Sequence, residues 1–331
     1  MIVSRAEAVP KTPDDLLGPQ LAAALNRLDV LSRKVFAGKL PGERRSKRRG
    51  RSVEFDDFRL YVPGDDLRHI DWNVLARLDK LFIKIFREDE DLSLHLFVDA
   101  SASMDAGLPN KLYFAARVAM AVGYVGLANQ NRVAMTVYRG SDRPVKRLAP
   151  VRGRSNARRL SQLLLECLEP SPAAGVPDQD SARRAPARTD FNAALRGAAM
   201  SRSGKGVMVV LSDFLNREGC EPGLNYLYGG GVTGFDTWVL HLLSPGEIDP
   251  ETERSRGLIG DLRLTDSESG AAQEVTISPA LIDKYRDRLR QFTEHLKTAC
   301  RARGIAYLRV PTDTPVTGFV LDSLRRGGML R

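Results

Sequence analysis

The chain has few cysteines and no long uninterrupted apolar stretch, and these absences exclude several classes of protein. Its cysteines, Cys167, Cys220 and Cys300, are widely spaced and form no C-x-x-C pair. The sequence therefore supports neither a disulfide framework nor a zinc ribbon, and we predict buried thiols. No apolar run approaches the ~20 residues that span a bilayer, and residues 1–10 lack the apolar core of a secretion signal. We expect a cytoplasmic protein without a membrane span.

Signatures of the common enzyme classes are also missing. The chain contains no Walker A, G-x-S-x-G or H-E-x-x-H motif. Its histidines, His69, His95, His241 and His295, form no motif that would supply a general base. His95 falls in the middle of a predicted strand, where a core residue is more common than a ligand. We therefore identify no catalytic residue and expect no enzyme, with a metal-dependent hydrolase or nuclease as the enzymatic alternative.

Positive charge is in excess, with a formal net charge of +9 and a pI near 9.6. Much of it lies in one run from Arg44 to Arg51, which has no interleaved aromatic residues. A solvated, mobile loop is the simplest interpretation, and contact with nucleic acid or with an acidic protein are the alternatives. Because stacking on single strands needs aromatic side chains, we do not expect nucleic acid to be the main partner.

Strands that alternate with helices predict an α/β fold, a doubly wound and mostly parallel sheet with helices on both faces. With 331 residues, the chain can form one or two domains. We assign 1–91 to an N-terminal part that packs on the main domain, 92–331. Strands are predicted at 92–98, 132–139, 145–148, 206–211, 235–242 and 305–310. Helices are predicted at 111–129, 155–168, 189–200, 222–228, 279–303 and 316–324.

Three further elements are predicted outside this regular alternation. Apolar spacing predicts one N-terminal helix from about residue 14 to 37. Alternation over 78–86 predicts a strand, which we pair with the 92–98 strand. A hairpin insertion is predicted near 257–278, and residues 170–188 are predicted to form a long surface loop because they are rich in proline and charge.

The most informative stretch is Leu92–Met104, an apolar strand that runs into a loop with the spacing D-x-S-x-S. Asp99, Ser101 and Ser103 can direct one carboxylate and two hydroxyl oxygens at one point, which suits a hard cation such as Mg²⁺. Thr189 opens a later helix, and Asp213 follows the most apolar strand. In open α/β sheets, ligands bind beyond the carboxyl ends of the strands. Each residue alone is a weak signal, but together and in this order they predict a metal site.

A second unusual stretch, residues 53–77, mixes charged pairs with aromatic side chains. One interpretation is a polar network in which arginines and carboxylates satisfy one another. The other is a docking surface, because Trp, Tyr and Arg are typical hot-spot residues. The candidate residues for a structural or partner-binding role are Arg59, Tyr61, Asp65, Asp66, Arg68, Asp71, Trp72 and Arg77.

The five oxygen-bearing positions resemble the metal-ion-dependent adhesion site of the von Willebrand factor A-type family. That resemblance puts Asp99, Ser101 and Ser103 in the first motif, Thr189 in the second and Asp213 in the third. It implies Mg²⁺, with Mn²⁺ or Ca²⁺ as alternatives, and a last coordination position that takes a carboxylate from a protein partner. Arg188 stands where many such sites have glycine, which is a departure in the second motif.

The segment from Glu54 to Arg77, with its R-x-Y-x-P-G-D-D-x-R-x-I-D-W core, resembles domain-of-unknown-function family 58. The resemblance covers roughly residues 40–330. Members are typically encoded beside MoxR-type AAA+ ATPases, which implies a role with such an ATPase in protein maturation, complex assembly or stress response. Many relatives carry transmembrane helices before this motif, and this chain shows none, so membrane attachment is not implied.

Overall fold

The computed structural model describes residues 8–32, 54–63, 67, 70–87, 92–169, 190–216, 218–229, 234–252, 260–265 and 272–331. The chain divides into two compact units, Lys39–Asp91 and a larger unit formed by Met1–Gly38 with Leu92–Arg331. The predicted N-terminal part, 1–91, is therefore split between the two units. The basic run 44–51 and the predicted loop 170–188 lie outside the described residues.

The strands are numbered along the chain. They are β1 (Glu54–Leu60), β2 (Phe82–Arg87), β3 (Leu92–Asp99), β4 (Arg132–Tyr138), β5 (Lys146–Val151), β6 (Lys205–Ser212), β7 (Phe235–Leu243), β8 (Gly260–Thr265), β9 (Ala272–Ile277) and β10 (Ala306–Pro311). The helices are α1 (Pro13–Leu16), α2 (Pro19–Leu25), α3 (Trp72–Leu78), α4 (Lys111–Ala128), α5 (Ala157–Leu168), α6 (Phe191–Met200), α7 (Glu221–Gly229), α8 (Pro245–Ile248), α9 (Pro279–Ala302), α10 (Val316–Gly318) and α11 (Leu324–Gly327). A π-helical turn, Phe319–Ser323, joins the last two helices.

The larger unit is built on a six-stranded sheet with the order β5-β4-β3-β6-β7-β10. All neighbours are parallel except β4 and the edge strand β5, which are antiparallel. The chain runs outward from β3 to β5 and then returns to the other side of β3 to form β6. This reversal places a topological switch point between β3 and β6. The predicted doubly wound, mostly parallel sheet is confirmed.

Each face of the sheet carries its own apolar cluster, because successive side chains of a strand point to opposite faces. Leu94, Leu96 and Val98 of β3 pack in one cluster with α4 and α5. Phe97 belongs to the other cluster, which includes residues of α6, α7 and α9. The predicted helices on both faces are confirmed. Cys167, Cys220 and Cys300 are buried free thiols, as predicted.

Helix α4 packs against the central strand β3. Among the described residues it is the one helix long and apolar enough to cross a membrane, but 83% of it is buried within the protein, so its apolar composition serves the core. A Cβ atom on Gly126 would come within 2.9 Å of the Leu94 side chain. Glycine therefore permits the close approach of the helix to β3.

In the smaller unit, β2 pairs with β1 in an antiparallel ladder. The predicted pairing of the 78–86 strand with the 92–98 strand is therefore wrong, since β3 lies between β4 and β6. Leu78, the first residue of the predicted strand, belongs instead to α3, and Asp79 caps the end of that helix with a positive φ of 50°. Apolar alternation identified the strand but carries no information about its partner.

The predicted helix from residue 14 to 37 is also wrong. Two short helices, α1 and α2, replace its first part, with Gly18 at the N-cap and Pro19 at the first position of α2. Proline lacks the N–H that a continuous helix requires and favours a helix start. Val30 then forms a bridge with Leu330, and residues 33–37 lie outside the described part. The predicted hairpin insertion is confirmed by the antiparallel pair β8 and β9.

Candidate functional site

The candidate site lies where two neighbouring strands end, at the switch point between β3 and β6. Asp99 is the last residue of β3, and Asp213 directly follows β6. The two strands pair in parallel up to Val98 and Leu211, which brings their carboxyl ends together. Asp99 and Asp213 are 3% and 1% exposed. The structure thus joins two of the predicted site residues that are 114 positions apart in the sequence numbering (213 − 99).

Asp99 is held by three hydrogen bonds that fix both of its carboxylate oxygens. Its Oδ1 accepts from the backbone N–H of Ser101 at 3.0 Å and from the Ser101 hydroxyl at 2.7 Å. Its Oδ2 accepts from the hydroxyl of Ser212 at 2.6 Å. The bond from the Ser101 N–H is the usual local bond between an Asp side chain and the backbone two residues later, and it shapes the D-x-S-x-S turn. Ser212 was not among the predicted site residues.

Two serine hydroxyls connect the two carboxylates. The Oγ atoms of Ser101 and Ser103 are 3.1 Å apart, and the Ser103 hydroxyl donates to Asp213 Oδ1 at 3.4 Å. The structure therefore brings four of the five predicted residues, Asp99, Ser101, Ser103 and Asp213, into one continuous chain of oxygen atoms. Thr189, the fifth predicted ligand, lies outside the described residues.

These oxygens are of the type that a small hard cation binds. Neighbouring oxygens in an octahedron around Mg²⁺ lie about 2.9 Å apart, because each is about 2.1 Å from the ion. The oxygen separations of 2.7, 3.1 and 3.4 Å are hydrogen-bond distances, and they are close enough to that value for the same oxygens to surround an ion. No group of three or more His, Cys, Asp or Glu that could hold a metal occurs among the described residues. The donor set is thus hydroxyl-rich and weakly charged.

The Asp213 carboxylate also affects the titration of Asp99. Burial raises the pKa of Asp99, and the nearby Asp213 carboxylate raises it further, to about 7. Hydrogen bonds from Ser212 and Ser101 act in the opposite direction but do not cancel these effects. A positive charge at this position would favour the ionised form of Asp99.

A buried lysine that the sequence analysis missed lies beside Asp213. Lys111 is the first residue of α4 and is fully buried. Its Nζ donates to Asp213 Oδ2 at 2.8 Å and also contacts Glu247. Burial alone would lower the pKa of Lys111, but the carboxylates of Asp213 and Glu247 outweigh it and the pKa is raised. Lys111 therefore remains an ammonium ion inside the protein.

Glu247 reaches this lysine from α8, a short helix that was also not predicted. A capping box at Ser244 fixes its backbone, since the Ser244 N–H and hydroxyl both donate to Glu247 Oε2, at 2.8 and 3.0 Å. The Tyr285 hydroxyl of α9 donates to the Glu247 carbonyl oxygen at 2.8 Å. The sequence signal was S-P-G-E, a short capping box without a following apolar run.

The backbone is strained at Phe214, the residue that directly follows Asp213. Phe214 has a φ of +56°, which is unfavourable for a residue with a bulky side chain, and it is 1% exposed. Its ring packs edge-on against Phe191 and His241. The backbone N–H of Leu215 donates to Asp213 Oδ1 at 3.0 Å. Such strain persists only where the surroundings impose it, and it is common at functional sites.

A cavity of about 180 Å³ opens at these oxygens and is lined also by Phe191, Asn192 and Asn216. Both side-chain amide atoms of Asn216 are buried and lack a hydrogen-bond partner among the described residues. Leu215 also lines the cavity and is 45% exposed. The cavity therefore offers polar groups that are ready to bind, next to an exposed apolar side chain.

Comparison with known proteins identifies the family. The family described as "Protein of unknown function DUF58" matches residues 57–295. This chain belongs to the DUF58 family. Its sheet order, with the Asp99 site at the switch point, agrees with the von Willebrand factor A-like fold that the motifs implied.

The names of the individual proteins that this DUF58 chain resembles state no activity. The chain is 28% identical to "Uncharacterized protein Rv1480" of Mycobacterium tuberculosis (strain ATCC 25618 / H37Rv) over 340 aligned positions, which cover 99% of both chains. "Uncharacterized protein Mb1516" of Mycobacterium bovis matches to the same extent. The solved structure "von Willebrand factor type A from Catenulispora acidiphila" is 16% identical, with a TM-score of 0.30, over 60% of this chain and 42% of that one.

The other predicted residues of this DUF58 chain lie in the smaller unit. Asp71 is buried and caps α3, because its carboxylate accepts from the backbone N–H groups of Asn73 and Val74 at 2.9 and 3.2 Å. Trp72 is 64% exposed, Arg59 and Arg77 are exposed, and Tyr61 is half-buried. Asp65, Asp66 and Arg68 lie outside the described residues. Asp71 thus has a structural role, and Trp72 is available at the surface.

Proposed function

We propose that this protein is a Mg²⁺-dependent protein-binding module whose Asp99 site takes an acidic side chain from its partner. The observation that carries the proposal is the chain of oxygens from Asp99 through Ser101 and Ser103 to Asp213, which opens into a cavity of about 180 Å³. A bound Mg²⁺ supplies an electrophilic point for one carboxylate oxygen. Mn²⁺ or Ca²⁺ can replace it, with the geometry favouring the smaller ions.

The arrangement of this chain's own residues favours binding over catalysis. Asp99 Oδ2 is held by Ser212 and Asp213 Oδ2 by Lys111, so one oxygen of each carboxylate is already engaged. The cavity lining contains no histidine or cysteine among the described residues. A site with fixed oxygens suits the repeated capture and release of a ligand.

The partner we propose is a MoxR-type AAA+ ATPase, with this protein as an adapter in protein maturation, complex assembly or stress response. The support is the DUF58 membership together with the typical gene neighbourhood of that family. The exposed Trp72 supplies a second contact surface, since tryptophan is prominent among interface hot spots.

Binding of the purified chain to a purified MoxR-type ATPase, with Mg²⁺ or with EDTA, tests this proposal. We expect capture with Mg²⁺, loss of capture in EDTA, and loss in Ser101→Ala and Ser103→Ala. Ser201→Ala is a matched control, because Ser201 bonds to the Ala198 carbonyl oxygen at the far end of α6. Equal capture in EDTA, or by the site variants, contradicts the proposal.

A further inference from the structure

The position of Lys111 runs against the ordinary preferences of a lysine. It is the first residue of α4 and is fully buried, whereas lysine is almost never fully buried unless it is paired. A cation at a helix N-terminus is also opposed by the helix dipole. The rest of α4 is dominated by alanine, valine and other apolar residues. A charge at such an unfavourable position indicates a role that depends on the charge itself.

The two oxygens of Asp213 have separate partners. Oδ2 accepts from Lys111 at 2.8 Å, while Oδ1 accepts from the Ser103 hydroxyl and from the Leu215 N–H. Only Oδ1 belongs to the chain of oxygens that leads to Asp99. Lys111 thus holds the Asp213 carboxylate in one orientation by binding Oδ2, the oxygen outside this chain, and it neutralises part of the charge of the carboxylate.

Glu247 competes with Asp213 for the same ammonium group. It contacts Lys111 Nζ and is 24% exposed, whereas Asp213 is 1% exposed. Lys111 therefore lies between a buried carboxylate of the candidate metal site and a partly exposed carboxylate of α8. The negative charge that Asp213 offers to an ion therefore depends on how strongly Lys111 interacts with Asp213 and how strongly it interacts with Glu247.

We propose that Lys111 is a resident counter-ion of the Asp99 site, which keeps the site folded without a divalent ion and weakens the binding of that ion. The inference rests on the proposed metal site. With Asp213 already neutralised in part, a divalent cation gains less from this carboxylate, so it can exchange readily. Lys111 is a positioning residue in this account, since it acts on the ion through Asp213.

The first arm of the test omits divalent ions and measures thermal unfolding of the full chain in EDTA. Lys111→Met is expected to lower Tm, because it leaves Asp213 buried and uncompensated. The double variant Lys111→Met with Asp213→Asn is expected to recover most of that loss. Lys146→Met is the matched control, since Lys146 forms a half-exposed pair with Glu166 at 2.7 Å. A double variant that is no more stable than Lys111→Met overturns the counter-ion role.

The second arm measures Mg²⁺ affinity by the dependence of Tm on Mg²⁺ and by calorimetric titration. Removing the nearby ammonium in Lys111→Met is expected to tighten Mg²⁺ binding by about tenfold or more. Glu247→Gln is expected to weaken Mg²⁺ binding, because Lys111 then has Asp213 as its only charged partner of the two and neutralises more of its charge. This second variant also keeps the test valid if Lys111→Met does not fold. Glu166→Gln, at the matched surface pair, is expected to leave Mg²⁺ affinity unchanged.

The outcomes separate this inference from the proposed function. Mg²⁺ affinity that is unchanged or weakened in Lys111→Met, or unchanged in Glu247→Gln, overturns the inference and leaves a purely structural lysine. The absence of any Mg²⁺ response in the wild type overturns the proposed metal site and the affinity-setting role with it. In that case the charge cycle in EDTA alone decides whether Lys111 is a counter-ion.

Discussion

The Asp99 site and the smaller unit, Lys39–Asp91, present their side chains in opposite ways. The site buries its charges: Asp99, Lys111 and Asp213 are each at most 3% exposed. The smaller unit instead exposes large apolar side chains, namely Phe58, Leu60, Val62, Leu67, Trp72 and Leu78. Buried polar networks gain specificity from fixed geometry, whereas exposed apolar clusters gain affinity from the area they bury on binding. Substitutions in the Asp99 site should therefore change stability and ion binding, whereas substitutions in the smaller unit should change partner binding.

The largest expected effect is the loss of stability when the buried pair is broken. Asp213→Ala leaves Lys111 with one carboxylate partner in place of two, and we expect a loss of about 3 kcal/mol in the free energy of unfolding. Urea denaturation in EDTA measures this loss. The same truncation on the surface pair, Glu166→Ala, should cost less than about 1 kcal/mol. Equal losses in the two variants would mean that burial does not increase the contribution of the ion pair to the free energy of unfolding.

A smaller effect is expected on acidification, again in the larger unit. Burial lowers the pKa of His95 to about 4, with nearby Arg202 adding to the effect. Because the unfolded state then binds more protons than the folded state between about pH 6.5 and 4, stability should fall as the pH falls through this range. The slope for this one histidine is at most about 1.4 kcal/mol per pH unit.

Urea denaturation at pH 7, 6 and 5 of the wild type and of His95→Phe measures this contribution. The difference between the two proteins isolates His95 from Asp99, whose raised pKa acts in the opposite direction. The phenyl ring preserves the edge-on contact with Phe235. Parallel stability curves for the two proteins would contradict the prediction.

The serine hydroxyls should affect the ligand more than the fold. Ser101→Ala removes one hydrogen bond to Asp99, so the expected loss of stability is about 1 kcal/mol, while Mg²⁺ binding should fall at least tenfold. Thermal unfolding gives the first quantity and calorimetric titration the second. A variant that loses stability but keeps its Mg²⁺ affinity would place the ion elsewhere.

The smallest effect on stability is expected in the smaller unit. Trp72→Ala should change the free energy of unfolding by no more than about 0.5 kcal/mol, because the side chain is 64% exposed. It should nevertheless weaken capture of a MoxR-type ATPase severalfold, and the control Leu78→Ala shows whether any exposed apolar residue of this unit has the same effect. Unchanged capture would restrict the partner contact to the Asp99 site.

Local sequence was enough to predict some residues of the Asp99 site but not others. Asp99, Ser101 and Ser103 were predictable because they lie within five consecutive residues at the end of one apolar strand, and Asp213 because it directly follows another. Lys111 was not, since its carboxylate partners are 102 and 136 residues away. The lysine stands in the sequence only as the polar first residue of an apolar helix.

The errors in the predicted fold also arise where the structure depends on contacts that local sequence does not show. Alternation over 78–86 identified β2 but not its partner β1, because register and pairing depend on contacts distant in the sequence. Apolar spacing around Leu21 continued across Gly18 and Pro19, and the stronger local signal was the proline that starts α2. The sheet itself was predictable because each of its strands carries its own apolar pattern.

The most direct test of the central claim is a calorimetric titration of Mg²⁺ into the metal-free protein, with Ser101→Ala and Ser103→Ala alongside. The account predicts one Mg²⁺ per chain in the wild type and at least tenfold weaker binding in both variants. No detectable binding to the wild type, or equal binding to all three proteins, would contradict it.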